Sequence, residues 1–213
     1  MLRMKVVVFV LAAVGLIAVG CNKPADTSTK NAPGPAASPA AKAQKATITA
    51  PAAKVVPVPE NWVAMSDDEK GYGFKIPEGT ERKSQTFNGV DVFMAKTPAP
   101  SAVAAFVMAF KDKTLSKDDL LKFATSFLEG LGEKDVKITD VTELSDDYSL
   151  GMISSVGEGG KVTKGKVLVA TDVSDNYVML LGTPEPEFKE NEKIMDEIWG
   201  SFTMTSGGAS GSS

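Results

Sequence analysis

The three tyrosines and two tryptophans of this 213-residue chain all fall within residues 62–204, and residues 22–59 hold no aromatic at all. A core is built by burying bulky apolar side chains, so this partition fixes where the chain can fold. Residues 22–59 include the run NAPGPAASPAAKAQKA. With so little to bury, such a segment cannot offset the entropy of ordering, and it is expected to stay extended. A coil of this length has an r.m.s. span of roughly 35 Å and an extended limit near ~120 Å, so it would act as a long-reach tether. The closing SGGASGSS is expected to be flexible for the same reason. The expected organisation is therefore a leader over 1–20, a tether over 21–59, one domain over 60–204 and a tail over 205–213.

The leader carries Arg3 and Lys5, followed by the uncharged run VVVFVLAAVGLIAVG over residues 6–20. At 1.5 Å per residue this run spans roughly 22 Å as a helix, short of the ~30 Å hydrocarbon core of a bilayer. A charged start, a short apolar body and small closing residues describe a secretory signal peptide. The only cysteine, Cys21, follows directly.

Ala18-Val19-Gly20-Cys21 resembles the lipobox of bacterial lipoproteins, with Ala18 standing where Leu is usual. The resemblance implies that the Cys21 thiol takes a diacylglyceryl group, that cleavage precedes it and that its new amino group is acylated. A thiolate suits this chemistry because it is a strong nucleophile, and two or more acyl chains hold a protein stably at a membrane. In the enterobacterial members an Asp after the cysteine favours inner-membrane retention. Asn22 therefore points to the outer membrane and its periplasmic face.

Charge and composition exclude several functions. The formal net charge of −4 becomes −6 once Arg3 and Lys5 leave with the leader, so phosphate-rich nucleic acid is not an expected partner. The chain has no histidine, which excludes catalytic systems that need an imidazole base, and with one cysteine it lacks ordinary zinc ligands. No cofactor is expected.

Within residues 62–204 the periodicities give an α+β domain. In GYGFKIP, Tyr72, Phe74 and Ile76 alternate as in a strand. ERKSQTF and VDVFMAKT flank Asn88-Gly89, a strong hairpin signal because both turn positions need positive φ. VAAFVMAF (103–110) is apolar on both faces and reads as a central strand. Ser116 then reads as a helix N-cap with Asp119 three residues on, ahead of a stripe of Leu120, Leu121, Ala124, Phe127, Leu128 and Leu131; Gly130 and Gly132 mark its stop. Further strands are expected over 136–142, 148–156, 162–171 and 177–181. The last helix aligns Phe188, Met195, Ile198, Trp199 and Phe202. The sum is an antiparallel sheet of about six to eight strands with a helix inserted midway and another at the end, an α+β layered domain.

This order resembles the Mog1/PsbP-like fold, and within it the envelope lipoproteins of the DcrB and PsbP-like type. The likeness rests on Trp62 ahead of the opening strand, on GYGFKIPEG (71–79), and on YVMLLGTPE leading to IMDEIWGSF, with the Ser201-Phe202 pair. Thr80 stands near where many relatives carry Trp. The resemblance implies an α/β/α sandwich and mostly binding roles; functions across the family differ widely.

The residues offer little chemistry. Asp67-Asp68-Glu69, Asp118-Asp119 and Asp146-Asp147 each have a local explanation in turns or a helix start. DVSDN (172–176) holds only a fragment of a calcium loop. GEGGKVTKGK (157–166) lacks the spacing and hydroxyl of a P-loop and reads as a hairpin tip. Its Lys161, Lys164 and Lys166 form a candidate contact for anionic headgroups or an acidic partner, against the plainer reading of a solvated strand face. Met94, Met108, Met152, Met179, Met195 and Met204 fit the core periodicity.

The sequence thus points to a membrane-anchored envelope lipoprotein whose non-catalytic domain binds a protein or cell-wall partner or supports envelope assembly. The alternatives are an apolar-ligand or lipid carrier, marked by a cavity above about 300 Å³, and a hydrolase, marked by carboxylates of raised pKa in a cleft.

Overall fold

The computed structural model describes residues 47–49 and 57–205. The expected leader, Cys21, most of the expected tether and the tail past residue 205 lie outside the described residues.

The main body is a seven-stranded antiparallel sheet in the order β4-β5-β6-β10-β9-β8-β7. Its first hairpin joins β4 (Glu81–Phe87) to β5 (Val90–Lys96). Asn88 and Gly89 take φ of 50° and 76° in the turn, and Phe87 pairs with Val90, as the sequence predicted. β6 (Ala104–Phe110) and β10 (Asn176–Pro184) lie inside the sheet, while β7 (Lys134–Glu143), β8 (Tyr148–Val156) and β9 (Val162–Thr171) complete it. Strand alternation sorts the side chains of β9 and β10 into two cores. Val167, Val169, Val178 and Leu180 face one way; Leu168, Ala170, Tyr177, Met179 and Leu181 face the other.

α1 (Lys117–Gly130) covers the first face with Leu120, Ala124, Phe127 and Leu128. Its start is fixed by Ser116, whose Oγ accepts from the Asp119 N–H at 3.1 Å and donates to the Asp119 carboxylate at 2.7 Å. The hydroxyl of Ser116 is the main reason the Asp119 carboxyl lies below its ordinary pKa. α2 (Phe188–Gly200) covers the second face with Met195, Ile198 and Trp199. The result is the α+β domain that the periodicity predicted, with one helix on each sheet face, as the fold resemblance implied.

A second, four-stranded antiparallel sheet was not foreseen as such. Its order is β1 (Thr47–Thr49), β11 (Thr203–Thr205), β3 (Tyr72–Ile76), β2 (Val63–Asp67). Thr47–Thr49 lies inside the segment expected to be tether, yet it pairs in register with Thr203–Thr205. Asp67, expected in a loop, closes β2. Phe202, expected on the last helix, lies beyond its end at Gly200 and packs between Tyr72 and Tyr177, with ring centroids 6.3 and 5.9 Å away. Ser201 makes that exit: its Oγ donates to the Ile198 carbonyl and accepts the Lys75 N–H, both at 2.8 Å. The buried tyrosine cluster thus joins the small sheet to the large one. Tyr177 donates its hydroxyl to the carbonyls of Lys70 (2.8 Å) and Gly71 (3.2 Å).

Candidate functional site

The sheet face under α1 is not covered along its whole length. α1 ends at Gly130, and Leu131 caps it through backbone bonds to Phe127 and Leu128. Past that end, one row of register partners runs Ile153–Gly165–Gly182–Ala104 across β8, β9, β10 and β6. Gly165 stands two residues before Val167, Gly182 two after Leu180 and Ala104 two before Phe106, so by alternation all three share the α1 face. Three small residues in a row, with no helix above them, leave a hollow.

That hollow is a half-open groove of about 300 Å³. Gly165, Gly182 and Ala104 form its floor, and Phe106, Leu180, Leu128 and Leu131 its wall beneath the helix end. Val162, Thr163 and Pro184 close the other side. Gly165 is obligatory: a Cβ there would lie 1.8 Å from the Leu181 carbonyl oxygen. Gly182 is not, since a Cβ there would meet only the Thr163 methyl, at 3.3 Å.

Polar groups sit at the rim. Ser155, buried, donates its hydroxyl to Glu133 Oε2 at 2.6 Å. Lys161 is exposed, is the one cation lining the groove, and has no salt bridge among the described residues.

The three lysines singled out in the sequence do not form one patch. Lys164 and Lys166 share the parity of Leu168 and Ala170 and so face α2. Lys164 pairs with Glu185 at 2.7 Å. The Lys166 side chain is only 7% exposed and is held by Asp196, with Glu192 at 3.3 Å. Lys161 alone reaches the groove. The glycine-rich stretch before it forms a hairpin tip, with Gly159 and Gly160 at positive φ, as expected.

A polar depression of about 410 Å³ at the other end of the sheet is lined by Glu69, Lys70, Asp91, Lys111, Asp112 and Lys113. Several of its charges are paired. Lys70 bridges Asp67 (3.0 Å) and Asp91 (3.6 Å), and Lys111 binds the buried Asp175. Burial pushes the Asp67 carboxyl up, but the backbone N–H and ammonium of Lys70 outweigh it and hold the pKa below its usual value. Hydrogen bonding to Asp67 in turn raises Lys70. The DVSDN stretch is therefore used structurally: Asp175 neutralises Lys111, and Asn176 donates to the Lys113 carbonyl. Among the described residues, no group of three or more acidic, His or Cys side chains could hold a metal ion. No described helix is long and apolar enough to cross a membrane.

No protein-family model and no curated protein matches the chain. Its architecture is similar to that of cyanobacterial PsbP (CyanoP) from Synechocystis sp. PCC 6803, at 17% identity and a TM-score of 0.50, over 67% of this chain and 91% of that one. LpqN of Mycobacterium tuberculosis, involved in cell envelope biogenesis, aligns at 14% identity and a TM-score of 0.35, over 70% of this chain and 81% of that one. The likeness to CyanoP defines the class: an α+β, PsbP-like fold.

Proposed function

We propose that this chain is a lipid-anchored envelope protein whose PsbP-like domain acts by binding rather than catalysis, with the α1-face groove as its contact. The observation that carries the reading is the groove itself. It is concave and mainly apolar, and its few polar groups gather at the rim, which is the usual make-up of a recognition site. Glu133 is its sole carboxylate, so a carboxylate pair for acid–base work is lacking. The lipobox-like Ala18-Val19-Gly20-Cys21 supports anchoring, and the tether before β1 would let the domain search some distance from the bilayer.

Two kinds of occupant fit such a module: a segment of an envelope partner, or an apolar small molecule. The groove favours the second. Among the described residues only Val141 and Val173 are large exposed hydrophobics, so no apolar collar surrounds it of the kind that marks protein interfaces.

The test is a photo-crosslinking amino acid at Leu131 in the full chain, expressed in its native host, with Val173 as the off-groove control. Capture of a reproducible lipid or protein species from position 131 and none from 173 is the expected result. Equal capture at both positions, or none at either, contradicts groove binding.

A further inference from the structure

We infer that the α1-face groove takes the alkyl chain of a single-chain fatty acid, with its carboxylate on Lys161; this rests on the groove-binding reading above. Three observations converge. The hollow, about 300 Å³, lies at the small end of ligand pockets, so it suits one chain and not the two of a membrane diacyl lipid. Its floor is the backbone of Gly165 and Gly182 with the methyl of Ala104, and its walls are Phe106 and Leu180. Beside the floor stand Thr163, whose methyl lies 3.3 Å from where a Gly182 Cβ would be, and Thr183, whose hydroxyl is already bonded to the Ala102 carbonyl and Asn191.

The third observation is charge complementarity. Three cations were candidates near this hairpin end, but Lys164 and Lys166 are committed to Glu185, Asp196 and Glu192 on the opposite face. Lys161 lines the groove without an ion pair among the described residues. Glu133, the one anion lining it, already accepts the Ser155 hydroxyl at 2.6 Å. A ligand that brings its own anion therefore satisfies the free charge, whereas a cationic head would have to displace Ser155 or approach Lys161 against repulsion.

The glycine at 182 also leaves the hollow open where strand preference alone would favour a larger residue. Gly182 sits in a central strand where a Cβ would press only on the Thr163 methyl, at 3.3 Å, which must shift by a few tenths of an ångström, and β-branched residues are otherwise favoured in such strands.

The test is photolabelling of the full-length, membrane-anchored protein with diazirine-bearing decanoic acid, the labelled residues being mapped by peptide mass spectrometry. Labels are expected on the segments around Leu131, Gly165 and Gly182, and unlabelled decanoate should compete them away. Gly182→Val, which places a side chain on the floor, should reduce labelling at least about tenfold while thermal unfolding shows the fold intact; Ala104→Leu is the second occluding variant. Lys161→Gln should raise the decanoate concentration needed for half-competition about tenfold and leave competition by decanol unchanged, as loss of one charge-assisted bond predicts.

Labelling that is spread over the surface, or unaffected in folded Gly182→Val and Ala104→Leu proteins, overturns the inference. So does competition by decyltrimethylammonium as strong as by decanoate. Competition by phosphatidylglycerol vesicles equal to that by decanoate would assign the site to a membrane headgroup and equally overturn it. If decanoate fails but the Leu131 crosslinker still captures a species that Gly182→Val abolishes, the groove-binding reading survives without the fatty acid.

Discussion

Gly165 and Gly182 face each other in the β9–β10 ladder, yet only one of them has to be glycine. The Cβ of any residue at 165 would run into the Leu181 carbonyl, 1.8 Å away, while one at 182 would touch a methyl at 3.3 Å. Backbone cannot yield as a flexible side chain can, so the two positions should respond very unequally to substitution. Gly165→Ala is expected to cost about 2–3 kcal/mol, the scale of overpacking a tight site. Gly182→Val is expected to cost less than about 1 kcal/mol, because strand propensity offsets the small shift that the Thr163 methyl must make. Urea unfolding of both variants checks the pair. Equal destabilisation would mean the hollow at 182 is not free space.

The attachment of α2 rests on a buried charge. Lys166 is held by Asp196, which also accepts the Trp199 indole N–H at 2.8 Å. Lys166→Met leaves Asp196 and Glu192 without their cation beneath the helix, and should destabilise by about 2–3 kcal/mol, moderated because Asp196 is a quarter exposed. Adding Asp196→Leu should recover part of that loss in chemical denaturation, because an apolar pair of similar volume often replaces a buried ion pair without penalty. A double variant worse than the sum of the singles would contradict this account.

Alkaline pH should open the joint between the two sheets. Burial raises the phenol pKa of Tyr72, Tyr148 and Tyr177 well above the ordinary value, with nearby carboxylates adding to the effect. A raised folded-state pKa contributes stability that is whole below the unfolded value of about 10 and is lost as pH climbs from there through the folded value. The urea midpoint is therefore expected to fall above about pH 10, with tyrosinate absorbance appearing together with unfolding. Tyrosinate formed by all three residues in a still-folded protein would refute it. At neutral pH, Tyr177→Phe removes the donation to the Lys70 and Gly71 carbonyls and should cost about 1–2 kcal/mol.

The start of α1 offers a local check. Ser116 satisfies the Asp119 N–H, so Ser116→Ala should destabilise by about 1 kcal/mol. Ser116→Thr, which keeps a hydroxyl to accept from the Asp119 N–H and donate to its carboxylate, should restore most of it, and a thermal-melt series of the two variants tests this.

What could be read from the sequence, and what could not, divides along physical lines. Asn88-Gly89, the Ser116 cap and the stripe from Leu120 to Leu131 were legible because each is local: a turn that demands positive φ, an orphan N–H, a 3.6-residue repeat. The small sheet was not legible. β1 and β11 have three residues each, too few for a period, and Thr47–Thr49 finds its partner more than 150 positions away. Phe202 fitted the helical stripe numerically, but Ser201 ends the helix and an extended residue fills the same core. The groove arises from register: Gly165, Gly182 and Ala104 lie far apart in sequence and meet only across the β-ladders. Glycines inside strong strand patterns were the available signal. The three lysines part for the converse reason, since alternation sends Lys161 to one face and Lys164 and Lys166 to the other.

Everything said about where this domain works depends on Cys21. Intact-mass spectrometry of the mature protein from its host's membrane fraction should show a chain that begins at Cys21 and carries diacylglyceryl and N-acyl groups. A chain that keeps residues 1–20, or one with an unmodified Cys21 thiol, would contradict the account.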